Sequence, residues 1–132
     1  MQRRTLLAAA LLAASLPLAA QTWPSKPVKL VVPTGPGSSL DLIARAMGDK
    51  LGARWGQPVV IENKPGAGGM LGLDIAAKAT DGHTFAIGFN GPVAFAPFLY
   101  RKMPYDPAKD LSAIVMTTSQ ANVLAVNADK VP

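Results

Sequence analysis

Two glycine-rich segments carry the residues best suited to bind an anion, because each lies between a predicted strand and a predicted helix. Residues 33–39 have the sequence PTGPGSS, and residues 63–69 have the sequence NKPGAGG. Unpaired backbone N–H groups at such a helix start point outward, and the helix dipole adds partial positive charge. A site of this kind binds an anion without an arginine. The same glycines also suit tight turns and close packing alone, so the spacing leaves both interpretations open.

Neither segment completes a nucleotide-binding motif. The third glycine of G-x-G-x-x-G is replaced by Leu40 after the first segment and by Leu71 after the second. The phosphate-binding pattern G-x-x-x-x-G-K-S/T does not occur either. We therefore expect no nucleotide cofactor.

The sequence offers little for catalysis or for a metal. His83 is the only histidine, and its position after an Asp-Gly turn predicts a turn or packing role rather than a general base. Ser38 and Ser39 lack the G-x-S-x-G elbow of a nucleophilic serine and suit a helix cap and loop donors better. Cysteine is absent and the carboxylates are dispersed, so we expect no metal site, no cofactor and no enzymatic activity.

The N-terminus has the form of a secretory signal peptide. Two arginines precede a Leu/Ala-rich run at residues 6–16, and Pro17 ends this run before two alanines. The run is shorter than the ~20 residues of a spanning helix. We expect cleavage between Ala20 and Gln21, export and no membrane insertion afterwards, with an N-terminal core helix as the alternative. The arginine pair suits the twin-arginine route as well as the general one.

The charge pattern favours a small ligand over nucleic acid. The sequence has 13 basic and 8 acidic residues, and removal of the two signal-peptide arginines lowers the net charge from +5 to +3. The basic residues are scattered, whereas nucleic-acid binding needs a clustered basic surface. A small positive excess suits an anionic ligand, although ordinary solvated lysines explain it equally well.

Alternating strands and helices predict an α/β fold. Short β-branched runs predict three strands, at residues 28–32, 59–61 and 84–89. Apolar residues at spacings of three and four predict helices over residues 40–55 and 70–79, the first of them capped by Ser38 or Ser39. Three strands joined by two helical crossovers predict a parallel sheet with helices on its faces.

The pattern changes after residue 90. Prolines punctuate an irregular stretch that contains a predicted short helix near residues 94–100. Apolar runs follow at residues 113–116 and 123–126, the second predicted as a strand with no helix to cover it. Because a parallel strand needs both faces buried, this ending looks unfinished.

Five stretches together resemble the substrate-binding proteins of tripartite tricarboxylate transporters, also called Bug proteins. They are residues 23–33 (WPSKPVKLVVP), 36–41 (PGSSLD), 56–69 (GQPVVIENKPGAGG), 81–84 (DGHT) and 100–107 (YRKMPYDP). Residues 122–126 (NVLAV) are similar to the strand by which that family enters its second lobe. The resemblance covers the whole chain after the signal peptide, and its E-N-K/R-P-G-A-G-G element is highly specific.

The resemblance implies a periplasmic-binding-protein-like α/β fold of two lobes that close on a ligand. Each lobe has a parallel sheet flanked by helices. Residues 1–20 then form the signal peptide, residues 21–120 a partial first lobe and residues 121–132 the start of a truncated second lobe. Family members are more than twice as long as this chain.

The resemblance also implies where a ligand carboxylate is held, largely by backbone amides and ordered water. The implied ligand-binding residues are Thr34, Gly35, Gly37, Ser38, Ser39, Asp41, Pro65, Gly66, Ala67, Gly68, Gly69, Asn90 and Gly91. Among them, Asp41 would orient the first loop or meet an amine or hydroxyl of the ligand.

Three positions depart from the family pattern. Thr34 stands where an aromatic residue is common, Ser38 where a second glycine is common, and His83 where tyrosine is usual. The two added hydroxyls bear on which acid is preferred. The histidine argues for packing or strand entry rather than catalysis.

The expected function is therefore that of a periplasmic receptor that captures a small organic carboxylate, such as a di- or tricarboxylate. Its expected partners are this anionic ligand and the membrane permease subunits of the transporter, and no nucleic acid. The alternative is a truncated fragment of such a protein, without function or with an interaction role only.

Overall fold

The computed structural model describes residues 22–121, 123–127 and 130, and its centre is a three-stranded parallel sheet. The middle strand is the first in the sequence, and the strands are β1 (Val28–Val32), β2 (Val59–Asn63) and β3 (Thr84–Ala86). Strand β1 pairs with β2 over five residues and with β3 over three. The predicted parallel sheet is confirmed, whereas the predicted signal peptide lies outside the described residues.

The helices cover the sheet and continue beyond it. They are α1 (Ser39–Trp55), α2 (Met70–Ala77) and α3 (Ala96–Leu99). A 3₁₀ turn, Ala67–Gly69, leads into α2, and a π-helical turn, Gly91–Phe95, leads into α3. In the described part of the chain, no helix is long and apolar enough to cross a membrane.

Both ends of α1 follow from local sequence. The Ser38 hydroxyl accepts a hydrogen bond from the backbone N–H of Asp41, so of the two serines proposed as the cap it is Ser38 that fills this position. At the other end, Gly56 adopts the left-handed conformation with φ of 67°, and its N–H donates to the Gly52 carbonyl. Glycine suits this position because it has no Cβ to oppose a positive φ.

Different helices cover the two faces of the sheet, because successive strand residues point to opposite sides. On the α1 side the buried cluster is Leu30, Val32, Ala44 and Ile87. On the α2 side it is Met70, Leu73, Ala96 and Tyr105. The flanked parallel sheet agrees with the periplasmic-binding-protein-like lobe that the resemblance implies.

Two strands differ in length from their predicted bounds. Strand β2 extends to Asn63, because its last two residues pair with the end of β1 and Glu62 forms ion pairs with Lys29 and Lys64. Strand β3 ends at Ala86 rather than at residue 89. Pro33 ends β1, so the chain beyond Ile87 finds no strand backbone to pair with.

The second half of the chain is less regular than predicted. The helix expected near residues 94–100 begins earlier, as the π-helical turn, and only Ala96–Leu99 are α-helical. The strand predicted at residues 123–126 is absent from the described residues, and both apolar runs beyond residue 112 are solvent-exposed. No neighbouring strand lies beside these runs among the described residues, so their backbone groups have no ladder to join.

Candidate functional site

The carboxyl edge of the sheet brings the two glycine-rich segments together. We define loop 1 as residues 33–38 and loop 2 as residues 64–69. Val32 pairs with Asn63 at the ends of adjacent strands, and the Lys64 N–H donates to the Val32 carbonyl at 2.8 Å. The two loops therefore leave the sheet side by side, as expected for a site at the carboxyl ends of parallel strands.

A buried carboxylate lies beneath loop 1. Asp41 is 2% exposed and accepts hydrogen bonds from the Gly37 N–H at 2.8 Å, Asn63 Nδ2 at 2.9 Å and Arg45 Nε at 3.0 Å. Arg45, then the Gly37 N–H and the Asn63 amide, hold the pKa of this carboxyl far below its ordinary value, against the effect of burial. Asp41 is therefore ionised and fully engaged within the protein, which fits orientation of the loop better than contact with a ligand.

Asn63 joins the two loops. Its Nδ2 donates to the Thr34 carbonyl at 3.1 Å as well as to Asp41 Oδ1, and its Oδ1 accepts from Arg45 Nη2 at 3.4 Å. We call Asp41, Arg45 and Asn63 the bridging network. Because Asn63 directly precedes loop 2 and contacts loop 1, this network fixes the position of one loop relative to the other.

Sequence reasoning assigned Asp41 to the site but missed Arg45 and Asn63. Arg45 had a local signal, since a basic residue four positions after an acidic one on a helix forms an ion pair. Asn63 had a weaker signal, a polar side chain at the last position of a strand. Its partners lie 22 and 29 residues away in sequence, and only the pairing of β1 with β2 brings them close.

The two hydroxyls that depart from the family pattern contact each other. Thr34 Oγ1 and Ser38 Oγ are 2.6 Å apart, and Ser38 Oγ also accepts the Asp41 N–H at 3.3 Å. Two hydroxyls carry two protons, and a single hydrogen bond between them uses only one. The pair therefore retains one O–H group that is able to donate to a ligand.

Loop 1 uses part of its backbone internally. The N–H of Gly37 donates to Asp41 and that of Ser38 donates to the Gly35 carbonyl at 3.3 Å. Within the described residues, the N–H groups of Ser39 and Leu40 in the first turn of α1 have no acceptor. The donors left for a ligand are therefore those of the helix start, rather than every amide of the loop.

Loop 2 is shaped by consecutive residues with positive φ. Gly66, Ala67, Gly68 and Gly69 have φ of 142°, 48°, 65° and 93°, and the loop closes through the Gly69 N–H to the Gly66 carbonyl at 2.9 Å. The N–H groups of Gly66, Ala67 and Gly68 find no acceptor in the part of the chain that the structure describes. Pro65 has no N–H to donate. Three consecutive free amides at a helix start suit an anion.

The segment after β3 packs against loop 2. A Cβ on Gly69 would lie 2.7 Å from Phe89 Cε1, and a Cβ on Gly91 would lie 2.7 Å from Phe89 Cε2. The Phe89 ring therefore fits between two glycines, which accounts for Gly91 by packing. Asn90 is exposed beside it at the same edge of the sheet.

Helix α2 packs closely against the end of β1, and this contact keeps loop 1 and loop 2 next to each other. A Cβ on Gly72 would lie 2.9 Å from the Pro33 Cα and 3.2 Å from the Lys64 carbonyl oxygen. Any larger side chain at position 72 would push α2 away from the starts of both loops. Loop 1 and loop 2 are therefore held together by packing as well as by the bridging network.

His83 lies at the opposite edge of the sheet and has a structural role, as predicted. Its Nε2 accepts the Ser25 N–H at 3.3 Å, its Nδ1 lies 2.9 Å from the Asp81 carbonyl oxygen, and its ring lies 5.7 Å from that of Trp23. Both ring nitrogens are thus engaged within the protein. Among the described residues there is also no group of three or more potential metal-ligating side chains.

A flanked parallel sheet with two glycine-rich loops side by side at its carboxyl edge is the arrangement expected of one lobe of a solute-binding protein. The family model described as the tripartite tricarboxylate transporter family receptor matches residues 43–132. The chain therefore belongs to this receptor family, as its sequence motifs indicate.

Individual relatives agree with this assignment. A UPF0065 protein of Bordetella bronchiseptica is 40% identical over 128 residues, which are 96% of this chain and 38% of the relative. MatC from Rhodopseudomonas palustris, solved with bound malate, is 39% identical with a TM-score of 0.63 over 67% of this chain and 30% of its own. The R. palustris protein Rpa4515, solved with adipate, is 41% identical with a TM-score of 0.62, over 65% and 29%.

The chain thus spans less than half of the length of the relatives it matches. The solved structures match about two thirds of this chain and under a third of their own chains. The fold comparison accordingly concerns one lobe.

Proposed function

We propose that this chain forms the first lobe of a periplasmic receptor that captures a small organic carboxylate for a tripartite tricarboxylate transporter. In this proposal residues 1–20 direct export and are removed, residues 21–120 belong to the first lobe and residues 121–132 begin the second. The receptor binds its ligand without chemical change and delivers it to the permease subunits.

One observation carries the proposal, namely free backbone donors on loop 2 and at the start of α1, at the same edge of the sheet. Loop 2 contributes the amides of Gly66, Ala67 and Gly68, and the start of α1 contributes those of Ser39 and Leu40. Hydrogen bonds from N–H groups to an ionised carboxylate are charge-assisted and stronger than neutral ones. That relatives of the same fold were solved with malate and adipate supports a carboxylate as the anion.

The bridging network supports the same ligand class. The only carboxylate buried beside the loops in the described structure, Asp41, is already neutralised by Arg45 and hydrogen-bonded to Asn63. Its negative charge is thus offset before a ligand arrives, so it does not repel an incoming anion. In a two-lobed receptor, closure of the second lobe then removes the bound carboxylate from water.

The proposal is tested by calorimetry on the complete gene product with succinate, malate, adipate and citrate, and with succinamide as the uncharged control. We expect saturable binding of at least one acid and none of the diamide. Absence of binding across the acids would contradict the proposal.

A matched pair of variants locates the site. Gly68 and Gly82 have nearly equal φ of 65° and 63°, but Gly82 lies at the opposite edge of the sheet with open space around its Cβ position. Gly68→Ala and Gly82→Ala should each lose about 1 kcal/mol of stability through left-handed backbone strain. Only Gly68→Ala should weaken carboxylate binding. Equal affinities of the two variants would place the ligand elsewhere.

A further inference from the structure

The side chain of Tyr100 lies beside loop 2. A Cβ added to Gly68 would meet the Tyr100 hydroxyl oxygen at 3.7 Å. This oxygen therefore lies close to Gly68 of loop 2, although Tyr100 is 32 residues further along the chain. None of the sequence motifs considered above assigns this residue to the site.

The backbone of Tyr100 is hydrogen-bonded, whereas its hydroxyl is not used by the described part of the protein. Tyr100 follows α3, and its backbone is fixed by an N–H bond to the Ala96 carbonyl at 3.0 Å. Tyr100 is 47% exposed, and its hydroxyl has no hydrogen-bond partner among the described residues. A phenolic hydroxyl in this position is an available donor.

The other tyrosine in the sequence shows the contrast. Tyr105 is 6% exposed, and its hydroxyl donates to the Pro92 carbonyl at 2.9 Å. Burial raises the pKa of Tyr105, which keeps this donor protonated. One tyrosine thus supports the fold through its hydroxyl, while the other presents its hydroxyl at the candidate site.

We propose that Tyr100 is a specificity-determining residue whose hydroxyl donates to the carboxylate held by the amides of loop 2. This inference rests on the proposed function. The amides of Gly66, Ala67 and Gly68 are donors only, and the tyrosine hydroxyl adds a fourth donor beside them. An ionised carboxylate satisfies such a set because it accepts hydrogen bonds through both oxygens and donates none.

The test compares Tyr100→Phe with Tyr105→Phe in the complete gene product, since each change removes a single oxygen atom. Succinate, malate, adipate and citrate are titrated by calorimetry, and the Tm of each ligand-free protein is measured. A lost hydrogen bond to a charged group predicts a Kd at least about tenfold higher for Tyr100→Phe. Its Tm should equal that of the parent, because the hydroxyl makes no bond within the fold.

Tyr105→Phe should give the opposite pattern, a lower Tm with a Kd close to that of the parent. A Tyr100→Phe protein that binds the acid as tightly as the parent would overturn the inference while leaving the proposed function intact. A parent protein that binds none of succinate, malate, adipate and citrate would overturn the proposed function, and the role of Tyr100 with it.

Discussion

Loop 1 and loop 2 leave the same edge of the sheet side by side but are built in different ways. Loop 1 is held by side chains, with Asp41 accepting the Gly37 amide and Asn63 reaching the Thr34 carbonyl. Loop 2 is held by its backbone and by close packing, with four successive positive φ values and Gly69 against Phe89. Loop 1 therefore depends on charge and hydrogen bonding, whereas loop 2 depends on the absence of side chains.

The largest effect is expected from adding one carbon to loop 2. In Gly69→Ala the new Cβ would lie 2.7 Å from Phe89, at a φ of 93° that L residues rarely adopt. Strain and overpacking together should cost about 2–4 kcal/mol in the free energy of unfolding, measured by urea denaturation. Gly82→Ala is the control, because it has positive φ and open space. Equal losses in the two variants would show that packing on Phe89 does not hold loop 2.

The second largest effect is expected from removing the charge of Asp41, which is buried beneath loop 1. Asp41→Asn places an NH₂ group among the donors of Gly37, Arg45 and Asn63, and at least one of these bonds is lost. We expect a Tm several degrees lower and weaker carboxylate binding. Lys50→Gln, at an exposed position of the same helix, should change neither. If both variants behave like the parent, the bridging network does not position loop 1.

The pH dependence of stability tests the charge of Asp41 by protonating the carboxylate rather than replacing it. The pKa of Asp41 is lowered in the folded protein, so its contribution is complete above the unfolded value of about 3.9 and is lost as the pH falls towards the folded value. The free energy of unfolding of the parent should fall more steeply below about pH 4 than that of Asp41→Asn. Parallel curves would mean that Asp41 gains nothing from its partners.

The smallest effect is expected from Thr34→Val. This change removes the hydroxyl that lies 2.6 Å from Ser38 but keeps the Thr34 carbonyl that Asn63 uses. The free energy of unfolding should fall by about 1 kcal/mol, and the Kd should change by less than about threefold because the Ser38 proton becomes free to donate. A loss of binding comparable to that of Asp41→Asn would show instead that Thr34 itself contacts the ligand.

The sequence predicted most of what depends on neighbouring residues. The β-branched run of β1, the cap at Ser38 and the two glycine-rich loops were each visible over a few positions. The bridging network was not visible in the sequence, because Asn63 contacts Thr34 and Asp41 only when β1 and β2 pair. The fit of Phe89 between Gly69 and Gly91 likewise joins segments 20 or more residues apart, and no local pattern encodes it.

The length of β3 likewise could not be predicted from its own residues. The β-propensity of residues 84–89 favours a longer strand than the three residues observed, and the difference originates in a different segment. Pro33 ends the central strand and so removes the partner that the end of β3 would need. Among the apolar runs beyond residue 112, the sequence showed that no helix follows to cover the second, but it did not show that neither run would pair with the sheet.

The most direct measurement of the central claim is an amide NMR titration of the ¹⁵N-labelled complete gene product with malate or adipate. The claim predicts saturable downfield proton shifts for the free amides of Gly66, Ala67, Gly68 and Ser39, because each gains a charged acceptor. The amide of Gly82, at the opposite edge, should not move. Saturable binding that leaves the loop 2 amides unshifted would contradict the account.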